Sequence, residues 1–326
     1  MTRLPRPTFE APAAEWLVYG DALQEANDPR GKLVGLSIGV EEGRVDANVR
    51  AAYVHEHCTA LLGFPNTSLG AYELTWRFSE LAAAAVRIRP DDQGATLVRT
   101  LLDSPAAELL HDVTLIGVPD ESRTVNLTDA MAEVGKAQRI TSLGLVDERA
   151  RNARMLVSRD FEPGENLVTL GPLKPFWARL QHVQFDIADS EEVDLENIDA
   201  PELRSFALRN LRFCDWEDAN TMTQRLGGAS WPKLESFELR LVETLVANVP
   251  IEIEPYVAIY SAPDHEGRDD GDEGDGELIP WGEQLLPVLA TLKGCPLRRL
   301  ALTSFGSSAQ VLEALEASGL LPNKIE

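Results

Sequence analysis

The chain has 326 residues, of which 44% are hydrophobic, and its formal net charge is −23. This hydrophobic content is enough for a sizeable core, and the negative charge argues against nucleic acid or anionic lipid as a main partner. The sequence contains no run of about 18 apolar residues, and no apolar stretch that could serve as a secretory signal follows the first residues. The three cysteines, Cys58, Cys214 and Cys295, are odd in number and widely separated. We therefore predict reduced thiols and a cytoplasmic protein.

The first hundred residues predict an N-terminal capping domain, residues 1–100, of helices and α+β structure. Residues 16–25 form an amphipathic helical pattern, and residues 28–31, Asp-Pro-Arg-Gly, form a turn before a second apolar face. Residues 72–77 and 84–88 are typical of strands. The helix, the turn and the second helix resemble the short repeat-companion domain found at the N-terminus of bacterial repeat proteins. The resemblance implies an architecture and no particular activity.

A recurring apolar frame marks the rest of the chain, residues 101–326. Each copy has an apolar residue, two variable positions, a second apolar residue, one variable position and a third. The six copies are Leu110/Val113/Leu115, Ile140/Leu143/Leu145, Leu180/Val183/Phe185, Leu203/Phe206/Leu208, Leu234/Phe237/Leu239 and Leu297/Leu300/Leu302. Alternation over the last two apolar positions predicts a strand with one buried face, and stacked copies can bury one another. The frame resembles the leucine-rich repeat.

Helical patterns between the frames complete this prediction. The clearest are residues 281–292 and the stretch from Ser307, where Ser307 and Gln310 form a capping box and Gly319 is placed to end the helix. Residues 126–134 and 218–226 are weaker candidates. The spacing between copies varies from roughly 23 to 63 residues, whereas leucine-rich repeats have about 20 to 29. The predicted fold is α/β: an irregular leucine-rich-repeat-like solenoid, with a curved parallel sheet backed by helices, behind an N-terminal α+β cap.

The side chains between the buried strand positions are our predicted binding surface, because neighbouring strands bring them together on one face. We expect another protein, of unknown identity, to bind there. Three of these residues, Arg209, Arg240 and Arg299, lie toward the C-terminal side of the stack, and we expect their combined charge reversal to abolish binding without lowering thermal stability. The predicted binding residues are Asp112, Thr114, His182, Gln184, Asp186, Arg209, Glu238, Arg240 and Arg299.

An acidic segment, residues 264–277, interrupts the last and longest spacing between frames. It contains no apolar residue, so we expect a solvated loop that a protease could reach, with Arg268 as a candidate cleavage position. Its charged residues are Asp264, Glu266, Arg268, Asp269, Asp270, Asp272, Glu273, Asp275 and Glu277. Calcium is disfavoured, because an EF-hand loop starting at Asp270 would place Asp275 where a glycine is needed. An electrostatic contact with a basic partner is the alternative role.

Catalytic chemistry has little support in the sequence. The chain lacks the common phosphate-binding, nucleophile and zinc motifs. Residues 55–58, His-Glu-His-Cys, are the only cluster of potential metal ligands, and on a helix the two histidines would point to different faces. We therefore predict a non-catalytic scaffold, adaptor or inhibitor, with no cofactor, no metal, no nucleic acid and no membrane. A protease target in a signalling or defence pathway, and an enzyme or metal protein with an unrecognised site, are the alternatives.

Overall fold

The structure is a computed structural model. It describes residues 5–120, 123–151, 168–170, 172–187, 195, 197–211, 216–241, 249–253, 257–261, 281–303 and 308–320. The chain divides into two compact units. Unit 1 comprises Met1–Leu115 and Asp129–Ile140, and unit 2 comprises Ile116–Thr128 and Thr141–Glu326. Unit 1 thus extends past residue 100 and includes a segment that the sequence had placed in the repeat body.

Unit 1 begins with four helices and contains an antiparallel strand pair. The helices are α1 (Ala13–Glu25), α2 (Pro29–Glu41), α3 (Ala47–Glu56) and α4 (Cys58–Leu62), followed by a 3-10 turn (Asn66–Ala71), and later α5 (Gly94–Leu102) and α6 (Thr128–Lys136). Strands β1 (Tyr72–Arg77) and β2 (Glu80–Ile88) pair antiparallel, and β3 (Asp112–Gly117) follows β2 in the sheet. The predicted first helix and both predicted strands of this region are confirmed.

The Asp-Pro-Arg-Gly segment is the start of α2. Asp28 is the N-cap and accepts a hydrogen bond from the Arg30 backbone N–H, while Pro29 occupies the first helical turn. The Arg30 guanidinium returns to the Asp28 carboxylate, at 2.6 Å for the closest pair of atoms. Gly31 lies so close to α1 that a Cβ there would be 2.5 Å from the Gly20 carbonyl oxygen. Each residue of the motif therefore has a physical role in joining α1 to α2.

Unit 2 contains a sheet and the helices that back it. Its strands are β4 (Val125–Asn126), β5 (Ser142–Asp147), β6 (Val168–Thr169), β7 (His182–Asp186), β8 (Ser205–Leu211), β9 (Ser236–Leu241), β10 (Val249–Ile253), β11 (Val257–Ser261) and β12 (Arg299–Thr303). Its helices are α7 (Glu148–Arg151), α8 (Trp216–Gly227), α9 (Trp281–Gln284), α10 (Leu286–Leu292) and α11 (Ser308–Ser318). The larger sheet has the order β5-β7-β8-β9-β12-β11-β10, and β4 pairs with β6 separately.

The strands of this sheet follow the predicted frames. Strands β5, β7, β8, β9 and β12 are parallel neighbours in chain order, and β10 pairs antiparallel with β11 at the end. Their register aligns the second apolar residue of five of the six frames: Leu143, Val183, Phe206, Phe237 and Leu300. All five are buried. The chain is a mixed α/β protein with a mostly parallel sheet backed by helices.

A repeated hydrogen-bond pattern occurs at the start of β7, β8, β9 and β12. Two consecutive backbone N–H groups donate to the carbonyl of the residue just before the neighbouring strand, and the acceptors are Thr141, Gln181, Arg204 and Glu235. Before the strand, the first apolar residue of the frame often closes a turn: Leu203 N–H bonds to the Ala200 carbonyl, and Leu234 N–H to that of Trp231. Ala200 and Trp231 are themselves buried. The repeating unit is therefore longer than the frame found in the sequence.

Aromatic rings and helix faces fill the core of unit 2. The Phe206 ring centroid lies 5.9 Å from that of Phe185, 5.7 Å from Phe237 and 5.4 Å from Trp231. The helices contribute buried residues that include Met222, Leu289 and Leu315.

All the predicted helical segments contain helix in the structure, and two of them differ in extent from the prediction. Residues 281–292 form two helices rather than one, and the helix expected from residue 126 begins at Thr128, after a short strand. The last helix ends where predicted, with Gly319 at a φ of 70°. Ser307, the expected first residue of its capping box, lies outside the described residues. Within the part of the chain that the structure describes, no helix is both long and apolar enough to cross a membrane.

Candidate interaction surface

The sheet register of unit 2 arranges the variable strand positions into rows. Ser205, Ser236 and Arg299 are neighbours in one row near the strand starts, with His182 beside Ser205. The next row runs through Gln184, Ala207, Glu238 and Ala301. The structure therefore brings most of the predicted binding residues onto adjacent strands. We call the positions of β7, β8, β9 and β12 that alternate with the frame residues the strand face.

Glu238 is the centre of a charged group on this face. Arg209 donates two hydrogen bonds to its carboxylate, from Nε at 2.8 Å and Nη2 at 2.9 Å, and Arg299 Nη1 donates a third at 3.0 Å. Burial of Glu238 disfavours its charged form, but the hydrogen bonds from the two arginines outweigh that cost and lower the pKa of the carboxyl. Its hydrogen bond to Arg209 in turn raises the pKa of that guanidinium. Glu238 is therefore an anion at neutral pH, shared by two cations.

Asp186 is the second buried carboxylate of the strand face. It pairs in register with Arg209 on β8, and Gln184 Nε2 donates a hydrogen bond of 2.9 Å to its Oδ2. Its Oδ1 has no hydrogen-bond partner among the described residues. The structure thus places this acid directly beside Arg209, one of the three arginines of the predicted surface.

A second charged group lies just before the same strands, and the sequence prediction missed it. Arg204 Nη1 is 3.0 Å from Glu235 Oε1, and Arg298 Nε is 3.6 Å from Glu235 Oε2. The side chain of Arg298 is 77% exposed, and that of Glu235 is 29% exposed against 10% for Glu238. Our prediction considered only alternating positions within the strands. The residue immediately before each strand would have revealed Arg204, Glu235 and Arg298.

The remaining predicted binding residues are distributed unevenly. His182 and Arg240 are exposed, and both make contacts in the structure. Asp112 and Thr114 are half-buried in β3, within unit 1. The acidic segment, residues 264–277, lies outside the described residues.

The expected outcome of reversing the three arginines needs correction. Arg209 and Arg299 are the hydrogen-bond partners of Glu238, whose exposure is only 8%. Reversing their charge would place acids against a buried carboxylate, so we now expect this change to destabilise the fold. Loss of binding in that variant could not be separated from loss of structure. Arg240, in contrast, is exposed.

The histidine cluster of the sequence does not form a metal site in the described residues, where no group of three or more His, Cys, Asp or Glu side chains is placed to hold an ion. His55 is exposed at the end of α3, and the His57 ring packs against Tyr53, with 4.2 Å between centroids. Cys58 is buried, and burial raises the pKa of its thiol. A reactive thiolate is thus disfavoured at Cys58.

Comparison with known proteins found no relative of the chain. No protein-family model matches it, and neither a curated protein nor a solved structure matches it.

Proposed function

We propose that the protein is a non-catalytic binding module of the cytoplasm, which holds another protein on the strand face of unit 2. The body would be an irregular solenoid of leucine-rich-repeat type, and the partner would be a protein that it scaffolds, recruits or inhibits. Neighbouring parallel strands supply a continuous row of side chains, which is how solenoids build extended binding surfaces.

The observation that carries this proposal is the shared register of five frames. The aligned residues Leu143, Val183, Phe206, Phe237 and Leu300 are buried, so the intervening positions of the same strands project to the other face. The N-terminal ends of four of these strands, β7, β8, β9 and β12, also share one hydrogen-bond pattern. Repetition of both features supports a unit that is stacked several times.

The composition of the strand face also supports recognition of a protein. Serine, glutamine, histidine and arginine side chains line its exposed and half-buried positions. Arginine is enriched at protein interfaces because its planar group can form several directed hydrogen bonds.

A bulky substitution on the strand face tests the proposal. Ser236 is half-buried and lies between Ser205 and Arg299 in its row. We expect the tagged full-length Ser236→Trp variant not to capture the proteins that the wild type captures from its native lysate. Its melting temperature should equal that of the wild type. Ala52→Trp, on the exposed side of α3 in unit 1, is the control and should capture them normally. Equal capture by both variants would remove the strand face as the binding site.

A further inference from the structure

Two groups of Arg–Glu–Arg side chains flank one pair of serines on β8 and β9. The buried group is Arg209–Glu238–Arg299, and the exposed group is Arg204–Glu235–Arg298. Ser205 follows Arg204, Ser236 follows Glu235, and the two serines are paired in register. We call Arg204, Ser205, Ser236, Arg298 and Arg299 the arginine–serine cluster.

The two groups carry a local positive charge within an acidic chain. Together with Asp186, which lies beside Arg209, they contain four arginines and three carboxylates, so their charge is 4 − 3 = +1, whereas the whole chain carries −23. Each glutamate is shared by two guanidinium groups. Arg299 donates through Nη1 to Glu238, and a guanidinium has five N–H donors in all. Donor capacity therefore remains on these exposed side chains.

The serines add neutral donors between the charges. Both are half-buried. Neighbouring strands are about 4.8 Å apart, so side chains in one row can reach the same small group. Planar guanidinium groups and hydroxyls are suited to the oxygens of a phosphate or a carboxylate.

We propose that the arginine–serine cluster binds an anionic side chain, a phosphorylated serine or a glutamate, presented by an extended segment of a partner protein. The inference rests on the proposed function and names the chemistry of the partner. Charge complementarity carries it, because the cluster is positive where the rest of the chain would repel an anion. Repulsion from the distant acids is screened beyond about 8 Å at physiological salt, so the nearby arginines dominate at contact.

Peptide binding tests the site directly. Three fluorescein-labelled peptides of otherwise identical sequence, carrying phosphoserine, glutamate or serine at two central positions, are titrated with the full chain and followed by anisotropy. We expect saturable binding of at least one anionic peptide, weaker binding at higher salt, and no binding of the serine peptide. The stronger of the two anionic peptides identifies the phosphate or the carboxylate as the preferred group.

Substitutions then assign the binding to the cluster. We expect the triple variant Arg204→Gln, Arg298→Gln and Arg299→Gln to bind the anionic peptide with at least tenfold lower affinity. Each arginine can contribute a charge-assisted hydrogen bond to the peptide. Arg44→Gln, Arg50→Gln and Arg89→Gln in unit 1 make the same change in net charge and should alter affinity less than twofold. If the triple variant unfolds, Arg298→Gln alone is tested, because Arg298 is the most exposed of the three. This single substitution should still lower the affinity for the anionic peptide about threefold.

Two results would overturn the inference: neither anionic peptide saturates, or the unit 1 control loses as much affinity as the cluster variant. The proposed function fails in a distinguishable way. If Ser236→Trp abolishes capture of the partner while the three glutamine substitutions leave it intact, the strand face still binds a protein, but not through an anion at this cluster.

Discussion

Each unit buries a glutamate between two arginines, but the pKa of the carboxyl group is raised in unit 1 and lowered in unit 2. In unit 1, Glu80 is fully buried, with Arg6 Nη1 at 3.2 Å and Arg30 Nη1 at 3.9 Å. Burial raises the pKa of Glu80 to about 7, and the two arginines only reduce the effect. In unit 2, three hydrogen bonds of 2.8 to 3.0 Å lower the pKa of Glu238.

The difference lies in what else the arginines contact. Arg30 hydrogen-bonds to Asp28, and Arg6 forms an ion pair with Glu108 at 2.7 Å as well as with Glu80. Glu80 Oε1 has no hydrogen-bond partner among the described residues. Arg209 instead directs both of its bonds to Glu238. A buried carboxylate therefore stays charged when it receives enough hydrogen bonds, and the mere presence of positive charge is not sufficient.

Removing both arginines from Glu238 should have the largest effect. Arg209→Ala with Arg299→Ala leaves a buried carboxylate without a partner, which costs about 3–5 kcal/mol of unfolding free energy at pH 7. The pKa of Glu238 should then rise above its usual value, as that of Glu80 does. Urea denaturation of the full chain measures the loss. Adding Glu238→Gln should recover most of it, and no recovery would show that the arginines stabilise unit 2 in another way.

Glu80→Gln tests the opposite case in unit 1. Because the folded-state pKa of Glu80 is raised, its contribution to stability is fully present below about pH 4.5 and is lost as the pH rises to about 7. The shift corresponds to about 3 kcal/mol. The difference in unfolding free energy between Glu80→Gln and wild type should therefore change in favour of the variant between pH 4.5 and pH 8. Glu73→Gln, at an exposed position of β1, should show no such change. If the unfolding free energies of Glu80→Gln and wild type differ by the same amount at every pH, the account is contradicted.

The contact between α1 and α2 gives a smaller effect that does not depend on pH. A Cβ on Gly31 would meet backbone atoms, the Gly20 carbonyl oxygen at 2.5 Å and the Gln24 nitrogen at 2.6 Å. Backbone cannot yield locally, so we expect Gly31→Ala to cost about 1–3 kcal/mol in thermal unfolding. Gly35→Ala on the same helix has open space around its Cβ and should be neutral or stabilising by up to about 1 kcal/mol. Equal effects at the two glycines would exclude the close approach of the helices.

The exposed Arg–Glu–Arg group should matter least for stability. Arg204→Ala with Arg298→Ala removes both partners of Glu235, but this carboxylate is partly exposed and can be solvated. We expect a loss below about 1 kcal/mol in urea denaturation. A loss as large as that for Arg209 and Arg299 would mean that burial does not account for the difference between the two groups.

The buried and outward positions of each strand were predictable because burial fixes which face of the sheet each residue occupies. A strand with one buried face must place Phe206 and Leu208 inward, and a one-residue slip would expose both. The N-terminal strands and the first helix were predictable for the same reason. The acceptor shared by two consecutive N–H groups at each strand start could not be predicted, because backbone geometry leaves no distinct side-chain pattern.

The candidate surface was predictable in position but not in its contacts. Alternation places Arg209 and Glu238 on the same face, yet their pairing depends on a register between β8 and β9 that loop length does not reveal. Asp28 and Arg30 show a similar limit: the sequence indicated a turn, and the cap and the bidentate contact made these residues the start of a helix. Arg204 and Arg298 were missed because they precede the strands.

The central claim is that unit 2 recognises its partner through the strand face, and site-specific photocrosslinking tests it most directly. A benzophenone amino acid is introduced into the full chain singly at His182 or Ser236 on the strand face, and at Ala52 or Glu73 in unit 1. After irradiation in the native lysate, we expect one protein to be crosslinked from both strand-face positions and from neither position in unit 1. Crosslinking of that protein only from Ala52 or Glu73 would contradict the claim.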